Sequence, residues 1–485
     1  MKPSRAAFAL AAVGMLASAC TVGPNYVKPD LPAPQAFGEA ASTPRTMVTA
    51  QDADLSAWWT QFGDPTLNDL VKRALADNPD LQVAASRVRE ARAQTRIAAA
   101  AALPTLSASG NALTYNSDRK STSASGSSAS GLAGLPIPSH TSLYSAGFDA
   151  SWEVDLFGGT RRAIEAAKDN AEGAEWSRRD GQVTLLAELA NAYLTLRALQ
   201  ARIAIGREEL QRQKDQFQLI QARRQAGFVT DLDVNQQSVQ VATSAAEIPQ
   251  LQAMASAQIH ALGVLLGQPP ETLAPSLAAS APTLPPPPPT LPTGLPSELL
   301  LRRPDLRQAE RRLAAANAQI GIQTADLYPK LNLIGLGSFA APKIENLFET
   351  QNVSTLGLGM LTAPIFDGGR ARAGIAAAKE EREQAFQAYR GAVLGAFRDV
   401  EDALARFKAE DDRRTSLLRS VAAAQNTLKI AQDQYRSGLV TFINVLQAQN
   451  ALLNSRDQLV QSDAQTLSDI VAVYKALGGG WTASS

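Results

Sequence analysis

Cysteine, histidine and aromatic side chains are all scarce in this chain, and each shortage removes a class of function. One cysteine in 485 residues, Cys20, excludes an internal disulfide. The two histidines, His140 and His260, stand far apart in sequence and leave too little material for a transition-metal centre. No metal site and no soluble cofactor are expected. Aromatics are 6% of the chain while Ala, Gln, Arg and Leu dominate, which fits long helices better than a compact enzyme core. Lys and Arg number 46, as do Asp and Glu, so the net charge is zero and the basic footprint of a nucleic-acid binder is missing. Gly-rich phosphate loops, zinc motifs and a nucleophile elbow are absent, and no catalytic residues are expected.

Long apolar runs are also lacking. Beyond the first turns of the chain no stretch approaches the roughly 20 apolar residues that a membrane-spanning helix needs. The one short run, Ala6 to Ala17, follows Lys2 and Arg5 and precedes Ser18-Ala19-Cys20, the layout of a secretory signal. Residues 1–19 read as a signal peptide and Cys20 as a lipid-bearing thiol, because Leu16-Ala-Ser-Ala-Cys20 resembles bacterial lipoprotein signals. It departs from them in having Ala17 where their leucine usually stands. A non-lipidated secreted protein with an unpaired thiol is the alternative. Residues 20–62 then form an anchored arm rich in Pro, Ala and Thr without a period, docking through Trp58, Trp59 and Phe62.

What the chain does have is periodicity, written twice. Val421, Ala424, Leu428, Ala431 and Tyr435 recur at steps of three and four, and so do Val445, Ala448, Leu452, Ser455 and Leu459 after Gly438. Two helices meeting at a glycine predict a coiled-coil hairpin with a blunt tip. Ala226-Gly-Phe-Val-Thr-Asp-Leu-Asp-Val234 matches Ser437-Gly-Leu-Val-Thr-Phe-Ile-Asn-Val445 in register, with Gly227 under Gly438. Upstream, Asn78-Pro-Asp-Leu81 and Leu103-Pro-Thr-Leu106 return as Arg303-Pro-Asp-Leu306 and Tyr328-Pro-Lys-Leu331. Both are shifted by 225 (304 minus 79, 329 minus 104). The first repeat spans 63–281, a Pro-rich linker 282–296, and the second repeat 297–485.

Within each repeat a period of two interrupts the helices. Leu106, Ala108, Gly110 and Ala112 alternate with polar residues, as do Tyr144, Ala146, Phe148, Ala150, Trp152 and Val154. Strands are expected at about 104–115, 143–155, 330–340 and 354–363, with Leu356, Leu358 and Met360 on one face of the last. A polar and an apolar face suit a strand between water and lipid; a soluble amphipathic sheet is the alternative. Proline-free helices follow from about Thr160 to Gln225 and from Arg370 to Ser437. The helix after the first tip is expected from Val229 to about Leu266, kinked or divided at Pro249. The two shorter helices of a repeat, stacked end to end, would match the long one. Four strands cannot close a barrel, and open edges cannot sit in lipid, so several chains must share one.

Cys20-Thr-Val-Gly-Pro-Asn-Tyr26, the doubled tip, Phe366-Asp-Gly-Gly-Arg370 and Tyr474-Lys-Ala-Leu-Gly-Gly-Gly-Trp481 resemble the OprM/NodT branch of the TolC-like outer membrane factors over essentially the whole mature chain. The resemblance implies an α+β membrane protein: a homotrimer with a 12-stranded outer-membrane β-barrel, four strands per chain, continued by a periplasmic α-helical barrel. It also implies an outlet duct for a tripartite efflux pump, working with a periplasmic adaptor and an inner-membrane transporter of the resistance-nodulation-division type. By motif position the periplasmic gate carries over to Asp231, Asp233, Tyr435, Asn444 and Gln447. Asn444 and Gln447 stand where relatives usually carry aspartates, so a tip held by neutral hydrogen bonds with Tyr435 packed across it is expected. Adaptor docking carries over to Gly227, Phe228, Val229, Gly438, Leu439 and Val440. N-terminal capping by Asp231 and Asp233, and packing of Phe228 and Leu439 within their own hairpins, are the plainer alternatives. A type I secretion outlet and a non-conducting coiled-coil lipoprotein are the competing functions.

Overall fold

The computed structural model describes residues 21–42, 47–48, 55–116, 140–278, 283–288, 291–292 and 302–482. The signal peptide, Cys20 and most of the Pro-rich linker lie outside the described residues. Leaving aside 3-10 turns and a five-residue helix (Ala274–Ala278), the elements in chain order are β1 (Met47–Val48), α1 (Pro65–Asp77), α2 (Pro79–Ala100), β2 (Thr105–Asn116) and β3 (His140–Val154). There follow α3 (Gly159–Gln225), α4 (Asp231–Leu265), β4 (Leu291–Pro292), α5 (Pro304–Ala325), β5 (Lys330–Ala341) and β6 (Val353–Thr362). The last two are α6 (Arg370–Arg436) and α7 (Phe442–Ala476).

The duplication is close to residue-exact. Helices α3 and α6 have 67 residues each, α4 and α7 have 35, α2 and α5 have 22, and β2 and β5 have 12. The shift between repeats is 225 at α2 and α5 (304 minus 79) and 211 at α3 and α6 (370 minus 159). The second β-hairpin segment has therefore lost 14 residues (225 minus 211). At 1.5 Å per residue the 67-residue helices are each about 100 Å long.

The described residues fall into two compact units, the first drawn from those within 21–28, 90–171 and 311–386. Its sheet has the order β2-β3-β5-β6, antiparallel throughout. Residues directly opposite share a face. Phe148 pairs with Ala108 and Gly337, and Trp152 with Leu333, so the apolar face of the first hairpin continues into the second. The opposite face changes character across the sheet. It carries Ser107, Asp149 and Ser151 in the first hairpin, but Ile334, Leu336, Leu356 and Leu358 in the second. Phe157 stacks on Tyr328 where the strands end, with ring centres 4.6 Å apart.

Residues 21–26 cross this unit as a strap. Arg162 holds it, donating to the carbonyls of Val22 and Gly23 at 3.2 Å each and to Asn25 Oδ1 at 2.7 Å. Asn317 donates to the Pro24 carbonyl at 2.9 Å. Gly23, with φ +87°, lies so close to Gly321 that a Cβ would stand 2.5 Å from its Cα. Glycine is needed there on both counts.

The second unit comprises residues 29–89, 172–310 and 387–485. Trp58 and Phe62 are buried at its centre, as the arm's aromatics suggested, and Trp58 stacks on Tyr474 at 5.3 Å with planes 14° apart. Further along the arm, Gly38 and Glu39 donate their amides to the Glu401 carboxylate at 2.7 and 3.0 Å. Strands β1 and β4 pair in parallel, tying the arm to the linker.

Asp64 caps α1 by accepting from Thr66 N at 2.8 Å and Leu67 N at 3.2 Å. Its other oxygen accepts from the Tyr193 hydroxyl at 2.5 Å, and that hydroxyl in turn accepts from Arg197 Nε at 2.8 Å. Burial first, and then Asp64, push the Tyr193 hydroxyl up to about 12; burial alone does the same to Tyr474. Stability from keeping both phenols neutral is thus present below their ordinary value near 10 and is lost as pH rises toward 12.

The short helices of each repeat do meet end to end. The last carbonyls of a helix have no partner within it. Here Asn78 Nδ2 donates to the Leu265 carbonyl at 2.9 Å, and at the equivalent joint Arg303 donates to the Ala476 carbonyl at 3.1 Å. Helix α4 is not divided at Pro249. The missing backbone donor is tolerated because Pro249 faces out while Ile248 and the rest of the buried face hold the helix on its neighbours.

Candidate gate and docking tips of the helical hairpins

Each hairpin tip is built by one glycine. At the end of α3, Gly227 (φ +78°) donates to the Arg224 carbonyl at 3.0 Å and Phe228 to that of Arg223 at 2.9 Å. At the end of α6, Gly438 (φ +74°) donates to Tyr435 and Leu439 to Gln434 at the same two distances. This paired closure is the Schellman motif, which satisfies the last carbonyls and reverses the chain. It also turns the next side chain outward. Phe228 is 80% exposed and Leu439 75%, so neither completes the packing of its own hairpin in the single chain. Val229 and Val440 are half-buried beside them.

Beneath the tips the two hairpins share a small core. Ile220 of α3 joins Ala431, Phe442, Val445, Leu446 and Ala448, with Val229, Val234 and Tyr435 packed against them. Tyr435 lies 5.4 Å from Phe442, ring centre to ring centre. Further back, amides bridge the hairpins. Gln449 donates to Gln216 at 2.7 Å and Asn450 to Gln240 at 3.1 Å, and Arg202 grips Asp457 at 2.5 and 3.1 Å.

The polar gate candidates are placed as follows. Asp233 completes a capping box, accepting from the Thr230 amide at 3.0 Å while its own amide donates to Thr230 Oγ1 at 3.4 Å. Asp231 pairs with Arg224 across the turn at 2.6 and 2.9 Å. The Arg224 guanidinium holds the Asp231 carboxyl below the usual range. The pair is therefore complete above the ordinary carboxylate value and fades only as pH falls through the depressed one. Asn444 turns back on its own helix, donating to Thr441 Oγ1 at 3.0 Å and to the Thr441 carbonyl at 3.3 Å, and Gln447 is exposed. Among the described residues nearest the tips, the neutral bonds between hairpins of one chain are thus made by Gln216, Gln449, Gln240 and Asn450. Opposite charges flanking the turn glycine were the sequence signal for Arg224; nothing comparable marked the four amides.

Among the described residues no helix is long and apolar enough to cross a membrane, and no group of His, Cys, Asp or Glu is arranged to hold a metal ion. The family model for outer membrane efflux proteins matches residues 70–268 and 295–479, and the chain belongs to that family. It is an outer membrane efflux channel. The chain is 35% identical over 456 residues to the pyoverdine export outer membrane protein OpmQ of Pseudomonas aeruginosa, covering 93% of each. With nodulation protein T of Rhizobium leguminosarum bv. viciae it shares 31% over 476 residues, covering 98% of this chain and 94% of the relative. The solved outer-membrane channel OprN superposes with a TM-score of 0.85 at 35% identity, over 95% of this chain and all of that one.

Proposed function

We propose that three copies of this chain form one water-filled duct, with a 12-stranded β-barrel in the outer membrane, that carries small molecules out of a tripartite efflux pump. The observation that carries this reading is the sheet: among the described residues β2 and β6 each pair on one side only. In lipid those open edges must be covered, and three four-stranded sheets joined edge to edge leave none. The face with Phe148 and Trp152 is the lipid-facing one in this arrangement. Cys20 carries the lipid anchor, one residue before the strap held by Arg162. Phe228 and Leu439 project from the tips to meet the helical hairpin of a periplasmic adaptor, which links the duct to an inner-membrane transporter of the resistance-nodulation-division type. Exposed apolar tips are otherwise an aggregation hazard.

Single-channel recording of the purified protein in a planar bilayer tests the duct. Discrete, trimer-dependent conductance is the expected result, and silence even in variants with truncated tip cores, such as Phe442→Ala, rejects it. The same bilayer reads the gate. The second tip has amides where carboxylates would bind cations. Asn444→Asp with Gln447→Asp should therefore introduce block by divalent cations from the periplasmic side; an unchanged block would remove these two positions from the gate.

A further inference from the structure

The two repeats superpose so closely in sequence spacing that each serves as a control for the other, and at one place they differ in bulk. Shifted by 211, Gly206 of α3 corresponds to Leu417, and Pro249 of α4 to Val460. A cavity of about 320 Å³ lies where the smaller residue stands, between α3, α4 and α7. A Cβ on Gly206 would meet only Ile248 Cγ1, at 3.7 Å. A volume of this size is at the lower end of small-molecule sites.

The lining sets an aliphatic wall beside charged and amide side chains. Ile205, Ile248, Leu251, Met254 and Leu453 give it an apolar wall. Of the charged groups that face it, Arg202 is neutralised by Asp457 at 2.5 Å and Glu209 by Arg212 at 2.8 Å. Glu247 at the rim has no ion-pair partner among the described residues. Ser244, only 6% exposed, adds a hydroxyl to the lining.

We propose that this cavity binds an organic cation with an apolar body, the charge set against Glu247 and the body against the aliphatic wall. The site is independent of the duct reading, since conductance tests that reading and equilibrium binding tests this one. Equilibrium dialysis of benzyltriethylammonium against the full-length protein in detergent should show one saturable site per chain. Gly206→Leu, which installs the residue of the second repeat, should weaken binding more than tenfold. Glu247→Gln, an exposed change that leaves the fold alone, should weaken it by about threefold. Leu417→Gly should leave this site's affinity as it is. Equal affinity for benzylsulfonate would overturn the proposal. So would unchanged binding in both Gly206→Leu and Glu247→Gln, or no saturable binding at all.

Discussion

Gly267→Ala should loosen the joint between α2 and α4 by about 2–5 kcal/mol, whereas Gly227→Ala, at nearly the same backbone angle, should cost its tip only about 1–2 kcal/mol. Both glycines have positive φ, +66° and +78°, and both close a helix by the same pair of hydrogen bonds. An alanine in that conformation sets its Cβ against the following carbonyl, which accounts for the smaller figure. The difference lies in the surroundings. Around Gly227 nothing stands within 4 Å of a new Cβ, while at Gly267 it would lie 2.6 Å from the Asp77 carbonyl oxygen and 3.2 Å from Pro79 Cδ. Backbone has no rotamer to give, so the end of α4 and the start of α2 must part. Gly478 repeats the situation against Arg303, at 3.1 Å from its Cα. Hydrogen exchange reads this locally: amides at 265–268 and in the first turn of α2 should exchange about 30-fold faster or more in Gly267→Ala. Equal effects at Gly227 and Gly267 would show that backbone angle alone matters and that the joint is slack.

That joint shows what a sequence of this kind discloses. Helices came from the three-four spacing and the lack of proline, and α3 begins one residue from where it was expected and ends at Gln225 as read. The strands came from alternation and lie within about three residues of their expected ends. The end-to-end meeting of short helices followed from comparing lengths, because both repeats had to span the same distance. Side-chain partnerships were less legible. Asp231 and Phe442 sit at equivalent places around their glycines, yet one pairs with Arg224 across the turn and the other packs its ring against Tyr435. Period and register do not distinguish these outcomes, since they depend on which long side chain stands one turn earlier. Alternation was legible in β2, β3 and β6, where Leu356, Leu358 and Met360 share a face as expected, but not which face of the sheet they join. In the second hairpin, glycines at 335, 337, 357 and 359 leave the Phe148 face and hand the bulk to Ile334, Leu336, Leu356 and Leu358 on the other. Pro249 failed as a breaker because burial of the rest of α4 outweighs one lost backbone bond.

The largest loss of stability from one side chain is expected at Trp58. It is 1% exposed and lies flat on Tyr474, with Phe62 edge-on at 6.1 Å and Trp59 edge-on at 5.9 Å. The glycines after α7 fold around it. A Cβ on Gly479 would stand 3.1 Å from Trp58 Cδ1, and Gly480 donates its amide to the Leu55 carbonyl at 2.7 Å while Gln182 donates to the Gly480 carbonyl, also at 2.7 Å. The indole therefore holds together three stretches that are remote in sequence: the end of the arm, the middle of α3 and the last turn of α7. Truncating a buried aromatic of this size costs about 3–5 kcal/mol, from lost contact and from the cavity left behind. In Trp58→Ala, amides at 474–480 and 55–62 should exchange at least 100-fold faster, while those at the hairpin tips keep their wild-type rates. Trp58→Phe keeps a ring against Tyr474 and should lose markedly less. If Trp58→Ala left exchange at 474–480 unchanged, the hydrogen bonds of Gly480 and Gln182 would have to hold the C-terminal glycines without the stack, and the arm would be a passenger on this unit rather than part of its core.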